Sequence, residues 1–140
     1  MPSVQYGLEF NYRIYQDEAF PMLTIELRNP GTGDSVDQDA FLDSGASRSV
    51  FMGQVAAMLG LDLLTGQPWA FETNTGQPVQ ARIHPVEIAL SDGGAARLLR
   101  LEMAFSMVDI RRNLLGRDFF NLAQVGFRER YGQFFLEPEP

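Results

Sequence analysis

An all-β fold with one or two short helices is what this sequence predicts, on three observations. Apolar residues recur at every second position along much of the chain, the period of a half-buried strand. Clusters of Asn, Asp, Gly and Pro separate these runs, and each of those residue types favours turns. Only two short stretches carry helix signals. The 140 residues suit one domain spanning 1–140, which can bury about two-thirds of the surface its unfolded chain exposes. No long-period repeat, low-complexity tract or linker interrupts it.

The elements follow in order. Val4, Tyr6, Leu8, Phe10, Tyr12 and Ile14 alternate without a break and predict one long strand. Leu23, Ile25 and Leu27 predict a second, ended by the turn-rich segment Asn29 to Asp34. A third rises from Val36 to Leu42 and delivers Asp43 at its end. Ser49 is placed to cap a short helix that carries Val55, Met58 and Leu59 on one face and stops at Gly60. Later strands are predicted at Val79 to Leu90, with a change of phase near Pro85 that suggests a bulge or an edge position. Leu99, Leu101, Met103, Phe105 and Met107 share one face of the next, from Leu98 to Val108. A second helix follows Gly116, with Asp118 near its start, where the helix dipole favours negative charge. A last hairpin joins Val125–Phe127 to Phe134–Leu136 across Arg130-Tyr131-Gly132.

Composition narrows the function. Hydrophobic residues make up 45%, enough for a packed core, and there is no cysteine, which excludes disulfides and thiol catalysis. The net charge is -7 and the basic residues are scattered apart from Arg111-Arg112, which argues against nucleic acid as a partner. No apolar run approaches the ~20 residues needed to span a bilayer, and no signal peptide is visible. A cytoplasmic location and no membrane partner are expected.

The stretch richest in chemistry is Leu42-Asp43-Ser44-Gly45-Ala46. It sets one acidic residue at the end of an apolar strand, directly before a hydroxyl and a glycine. Gly45 lets the backbone turn tightly and bring its amide near the carboxylate, and Ser44 offers a hydroxyl to brace the loop. The competing reading is a plain hairpin turn, since Asp, Ser and Gly all favour turns. Against it, the triplet leads into a helix-start signal and not into a returning strand. Two carboxyls that share one proton can both activate water and protonate a leaving nitrogen, because close like charges cannot both ionise. Only one such triplet is present: Asp34-Ser35 is followed by Val36, and Ser91-Asp92-Gly93 has the wrong order. A pair of carboxyls therefore requires a second copy of the chain, related by a two-fold axis.

These residues resemble the retropepsin-like aspartic peptidases, particularly the single-domain versions found outside retroviruses. The resemblance runs from about Phe10 to Leu136. It rests on Phe41-Leu42-Asp43-Ser44-Gly45-Ala46-Ser47, on Val50-Phe51 and Leu59-Gly60-Leu61, and on Leu114-Leu115-Gly116-Arg117-Asp118. It implies a closed β-barrel of the retropepsin-like acid protease type and a homodimer acting on a peptide or protein substrate. By position, Asp43, Ser44 and Gly45 would form the catalytic triplet. Leu115, Gly116 and Arg117 would support its loop, with the glycine allowing close approach. The family also closes a glycine-tipped flap over its substrate; Trp69 to Ala81 looks like the counterpart. Thr73, Asn74, Thr75 and Gly76 at the tip, together with Ala46, would then contact substrate. Ser44 stands where threonine is commoner. Ser47 stands where retroviral members often carry an acidic partner for the arginine, so Arg117 needs another.

The remaining candidates read as structural. His84 is the lone histidine and cannot build a zinc site. Asp34, Asp37 and Asp39 lack the spacing of a calcium loop, and Gly93-Gly94 marks a hairpin turn. No metal and no cofactor are implied. The expectation is a homodimeric aspartic endopeptidase that activates water between two Asp43 carboxyls, one per subunit, with a preference for apolar side chains. The alternative is a catalytically silent module that keeps the fold for dimerisation or peptide binding.

Overall fold

Most of the predicted alternation becomes strand. The computed structural model describes residues 6–72 and 75–139. In chain order it runs β1 (Leu8–Asn11), β2 (Arg13–Tyr15), β3 (Glu18–Phe20), β4 (Met22–Arg28), β5 (Ser35–Leu42), β6 (Val50–Met52), α1 (Gly53–Met58) and β7 (Gln67–Glu72). It continues β8 (Pro78–Ser91), β9 (Ala96–Ser106), β10 (Asn113–Leu115), α2 (Arg117–Phe120), β11 (Ala123–Arg128) and β12 (Gln133–Pro138). The main sheet has seven strands in the order β4-β5-β10-β6-β9-β8-β7. A further pairing of Glu26–Arg28 with Glu87–Ala89 joins β4 to β8. A three-stranded sheet, β1-β12-β11, and the β2–β3 hairpin complete the strands described.

The predicted first strand is broken. Val4 lies outside the described residues. From Leu8, β1 pairs with β12, and Tyr12 donates its amide to the Gly132 carbonyl at 2.7 Å. The chain then turns into the β2–β3 hairpin at Gln16 and Asp17, whose φ values of 49° and 67° suit a tight two-residue turn. Nothing in Gln-Asp announces such a turn as Asn-Gly would, and the alternation carries on through it.

Ser49 is not a helix cap. Val50–Met52 is recruited as β6 between β10 and β9, so α1 begins one turn later with Met52 at its N-cap and no side-chain cap. Strand pairing outweighs the local capping signal. On α1 and its C-cap, Val55, Ala56 and Leu59 are buried while Met58 is exposed. Gly60 ends the helix at a φ of +70°, as its position suggested.

The phase change at Pro85 has a cause other than a bulge. The pairing of β8 with β9 keeps one register from Ala81↔Ser106 to Ser91↔Ala96. What changes is the face that is covered. Ala81 and Ile83 pack with Val50 and Ala104 in a small cluster on one side of the sheet. Val86, Ile88 and Leu90 point the other way, into the main core around Leu23, Ile25, Phe51, Phe105 and Phe119. On its second edge β8 leaves β7 after Ile83 and meets β4 at Glu87. Pro85 sits in that gap, where a missing N–H is least costly. Each large apolar side chain buried in the main core contributes about 1.5–3 kcal/mol.

Candidate active site

Parallel pairing of β5 with β10 brings the two motifs together. Phe41 stands opposite Leu114 and Leu42 opposite Leu115, so the chain leaves both strands at the same end. The Asp43 amide donates to the Leu115 carbonyl at 2.9 Å, and the Arg117 amide donates to the Ala46 carbonyl at 2.8 Å. These two bonds clamp the Asp43–Ala46 loop from both sides. Gly116 passes so close that a Cβ there would lie 2.7 Å from the Ala46 carbonyl oxygen and 2.8 Å from that of Arg48. Only glycine fits without moving backbone.

Within the loop, the Gly45 amide donates to Asp43 Oδ1 at 2.9 Å. Oδ2 accepts no hydrogen bond among the described residues. Asp43 is half-buried, Ser44 and Gly45 are exposed, and Ala46 is half-buried. One carboxylate is thus held at one oxygen and open at the other. Alone it can take a proton or give one, but it cannot do both in the same step.

A second bridge lies behind the loop, and sequence reasoning missed it. Ser49 is fully buried; its hydroxyl donates to Asp118 Oδ1 at 2.7 Å and accepts from the Gly116 amide at 2.9 Å. The Ser49 amide also donates to Asp118 Oδ1, at 2.8 Å. In the sequence both residues read as helix-terminus residues. A hydroxyl six positions after Asp43 and a carboxylate two after Gly116 are the only sequence signal for this link.

One face of the main sheet carries a small apolar cluster. Trp69, Phe71 and Ile110 pack on the Val50, Ala81, Ile83 and Ala104 cluster. The Arg48 guanidinium lies 5.2 Å from the Trp69 ring centre and donates to the Glu102 carbonyl at 3.3 Å. Phe41 meets Tyr15 and Phe20 edge-on, and the Arg112 guanidinium lies 4.6 Å from the Phe41 ring centre. A separate hollow of about 300 Å³, walled by Met52, Leu63, Ser106 and Ile110, includes no residue of the Asp43 loop.

The other predicted residues are placed as follows. Trp69 and Ala81 face each other across the β7–β8 hairpin, and Gly76 turns it with a φ of +76°. Thr73 and Asn74 lie outside the described residues. Arg117 is exposed and forms no ion pair among the described residues. His84 is buried, with Nε2 3.1 Å from the Leu63 carbonyl oxygen and its ring against Phe105. Asp39 meets Arg13 and Thr24. Among the described residues no group of three acidic or histidine side chains could hold a metal, and no helix is long and apolar enough to cross a membrane.

No family model matches the chain, and no curated protein matches it in sequence. Solved structures do match. A retropepsin-like aspartic protease from Rickettsia conorii superposes with a TM-score of 0.61 at 19% identity, over 97% of this chain and 96% of that one. This chain has the retropepsin-like fold. The EIAV protease, complexed with an inhibitor, matches at a TM-score of 0.45 and 19% identity, over 78% of this chain and 92% of that one. Within the retropepsin-like fold of this chain, backbone hydrogen bonds hold the Asp43 loop against the Leu115–Arg117 segment, and the Ser49 hydroxyl ties that segment down from behind. Their meeting depends on the β5–β10 pairing more than on any side chain.

Proposed function

We propose that this chain is an aspartic endopeptidase that works as a homodimer, with a closed barrel in each subunit and one Asp43 from each at the shared cleft. The observation that carries this reading is the Asp43 carboxylate, held at Oδ1 by the Gly45 amide on a loop clamped by Leu115 and Arg117, within a retropepsin-like fold. A second Asp43 beside the first would share its proton, because two adjacent carboxylates cannot both ionise at ordinary cost. The ionised member takes a proton from water, whose oxygen attacks the peptide carbonyl carbon. The protonated member gives its proton to the carbonyl oxygen. The carboxyl that took the water proton then gives it to the leaving nitrogen, the C–N bond breaks, and the other carboxylate takes a proton from a hydroxyl of the diol as the new carboxyl group forms, so the pair again holds one proton.

Ser44 would bond across the two-fold axis, and Gly45 with Ala46 would touch the substrate backbone. The β7–β8 hairpin, turned at Gly76, would close as a flap and exclude water, with Thr73, Asn74, Thr75 and Gly76 meeting the substrate. The β4–β8 pairing supports the closed barrel, since it brings the first strand of the seven-stranded order against the sixth. No cofactor takes part in this scheme.

Purified protein and its Asp43→Asn variant, incubated with an undirected peptide library across about pH 4 to 7, test the reading. Cleavage by the unsubstituted protein alone is the expected result. No cleavage by a protein shown to be dimeric would favour a silent dimerisation or peptide-binding module.

A further inference from the structure

The chain is acidic, with 18 Asp and Glu against 11 Lys and Arg, and several of its arginines find carboxylates. Arg13 pairs with Asp39, Arg28 with Glu26 and Arg97 with Glu137. Arg48 and Arg112, each set against an aromatic ring, do not. Arg48 lies on Trp69, and Arg112 lies on Phe41, with its guanidinium also 5.9 Å from the Phe20 ring centre. Neither forms an ion pair among the described residues, and Arg112 is exposed.

Stacking on a ring fixes the plane of a guanidinium while leaving its N–H edge open. That edge matches a carboxylate in a two-pronged hydrogen bond. Position adds to the argument. Phe41 precedes Asp43 by two residues on the strand that ends at the catalytic loop. Arg112 precedes Leu115 by three, and the Leu115 carbonyl is bonded to the Asp43 amide. Two or three extended residues span about 7–10 Å, so a guanidinium held over the Phe41 ring would reach side chains two or three residues from a peptide bond held at Asp43.

We propose that Arg112 is a specificity residue that selects peptides with a carboxylate side chain within three residues of the cleaved bond. The two-fold axis would supply one Arg112 on each side of that bond. This rests on the peptidase reading above and refines its expected apolar preference: apolar side chains fill the floor, and an acidic one meets the stacked arginine. Arg48, tied to the Glu102 carbonyl, is the less available of the two cations.

The test separates recognition from chemistry. Asp43→Asn protein, which should hold peptide uncut, is titrated by fluorescence anisotropy with two labelled pools of ten-residue peptides. One of the three residues on each side of a central apolar pair is Glu in the first pool and Gln in the second. The Glu pool should bind about tenfold tighter. Adding Arg112→Gln should bring it to the level of the Gln pool without changing the latter, and Arg112→Lys should keep part of the preference. Equal binding of the pools, binding of neither, or a preference that survives Arg112→Gln would overturn the proposal. Turnover of both pools by the unsubstituted protein is read in parallel. Glu-selective binding without turnover would remove the peptidase and keep acid recognition; turnover blind to Glu and Gln would do the reverse.

Discussion

Two loops of this molecule use nearly the same residues to opposite ends. Asp43-Ser44-Gly45 and Asp92-Gly93-Gly94 each follow an apolar strand and bend back on an aspartate that accepts backbone N–H groups. Asp92 is engaged at both oxygens: Oδ1 accepts from the Gly94 and Ala95 amides and Oδ2 from the Glu9 amide. Those bonds hold its carboxyl down to about 2, the Ala95 amide contributing most and Gly94 next. Asp43 accepts one amide and leaves Oδ2 open. The turn at Asp92 closes on its own Gly94 and Ala95 amides and takes one outside amide, that of Glu9, on the carboxylate itself, whereas the Asp43 loop is braced from outside through its backbone, by Leu115 and Arg117. External bracing is what lets a carboxylate stay rigid without using up its lone pairs.

The sharpest way to break this contrast is at the glycines. Gly116→Ala should cost about 3 kcal/mol in urea unfolding, because the new Cβ meets backbone that cannot move aside. Gly93→Ala should cost only about 1 kcal/mol, since open space surrounds it and only its φ of +93° resists a side chain. Equal costs would mean that the Asp43 loop is not clamped. Ser49→Ala should lie between, at about 2 kcal/mol, because it leaves the Gly116 amide and Asp118 Oδ1 each short of a buried partner.

The smallest effect is the pH dependence of Asp92. Its carboxyl titrates lower when folded than when unfolded, where 3.8 is usual. Its contribution is therefore present above about pH 4 and is lost as the pH falls through about 2. Asp92→Asn should unfold at lower urea than the parent at pH 7, and the gap should narrow as the pH approaches 2. A gap constant across that range would contradict the assigned hydrogen bonds.

Much of the fold could be read in advance because β4, β5, β8, β9 and the β11–β12 hairpin obey the two-residue period with turn residues between. Failures came where long-range pairing set the outcome. Val50–Met52 became a strand because β9 and β10 left a space for it, which no local pattern announces. The hairpin at Gln16-Asp17 hid inside an unbroken alternation. The phase shift at Pro85 was visible, but its cause, two cores on opposite faces of one sheet, was not. At the candidate site, the two segments that the structure brings together, around Asp43-Ser44-Gly45 and Leu115-Gly116, were legible because glycine and apolar residues beside an acid leave a distinctive string. The Ser49–Asp118 bridge was not, since hydroxyls and carboxylates also mark helix ends. Nor was the stacking of Arg112, which depends on Phe41 and Phe20 arriving from different strands.

The central claim is that each catalytic site needs an Asp43 from two copies of the chain. Mixing the parent with its Asp43→Asn variant at constant total concentration, after time for exchange of subunits, tests it directly. At equal proportions peptide cleavage should fall to about a quarter of the parent's, as only dimers with two intact carboxyls turn over. A fall to about one half, the result for chains that act independently, would contradict it.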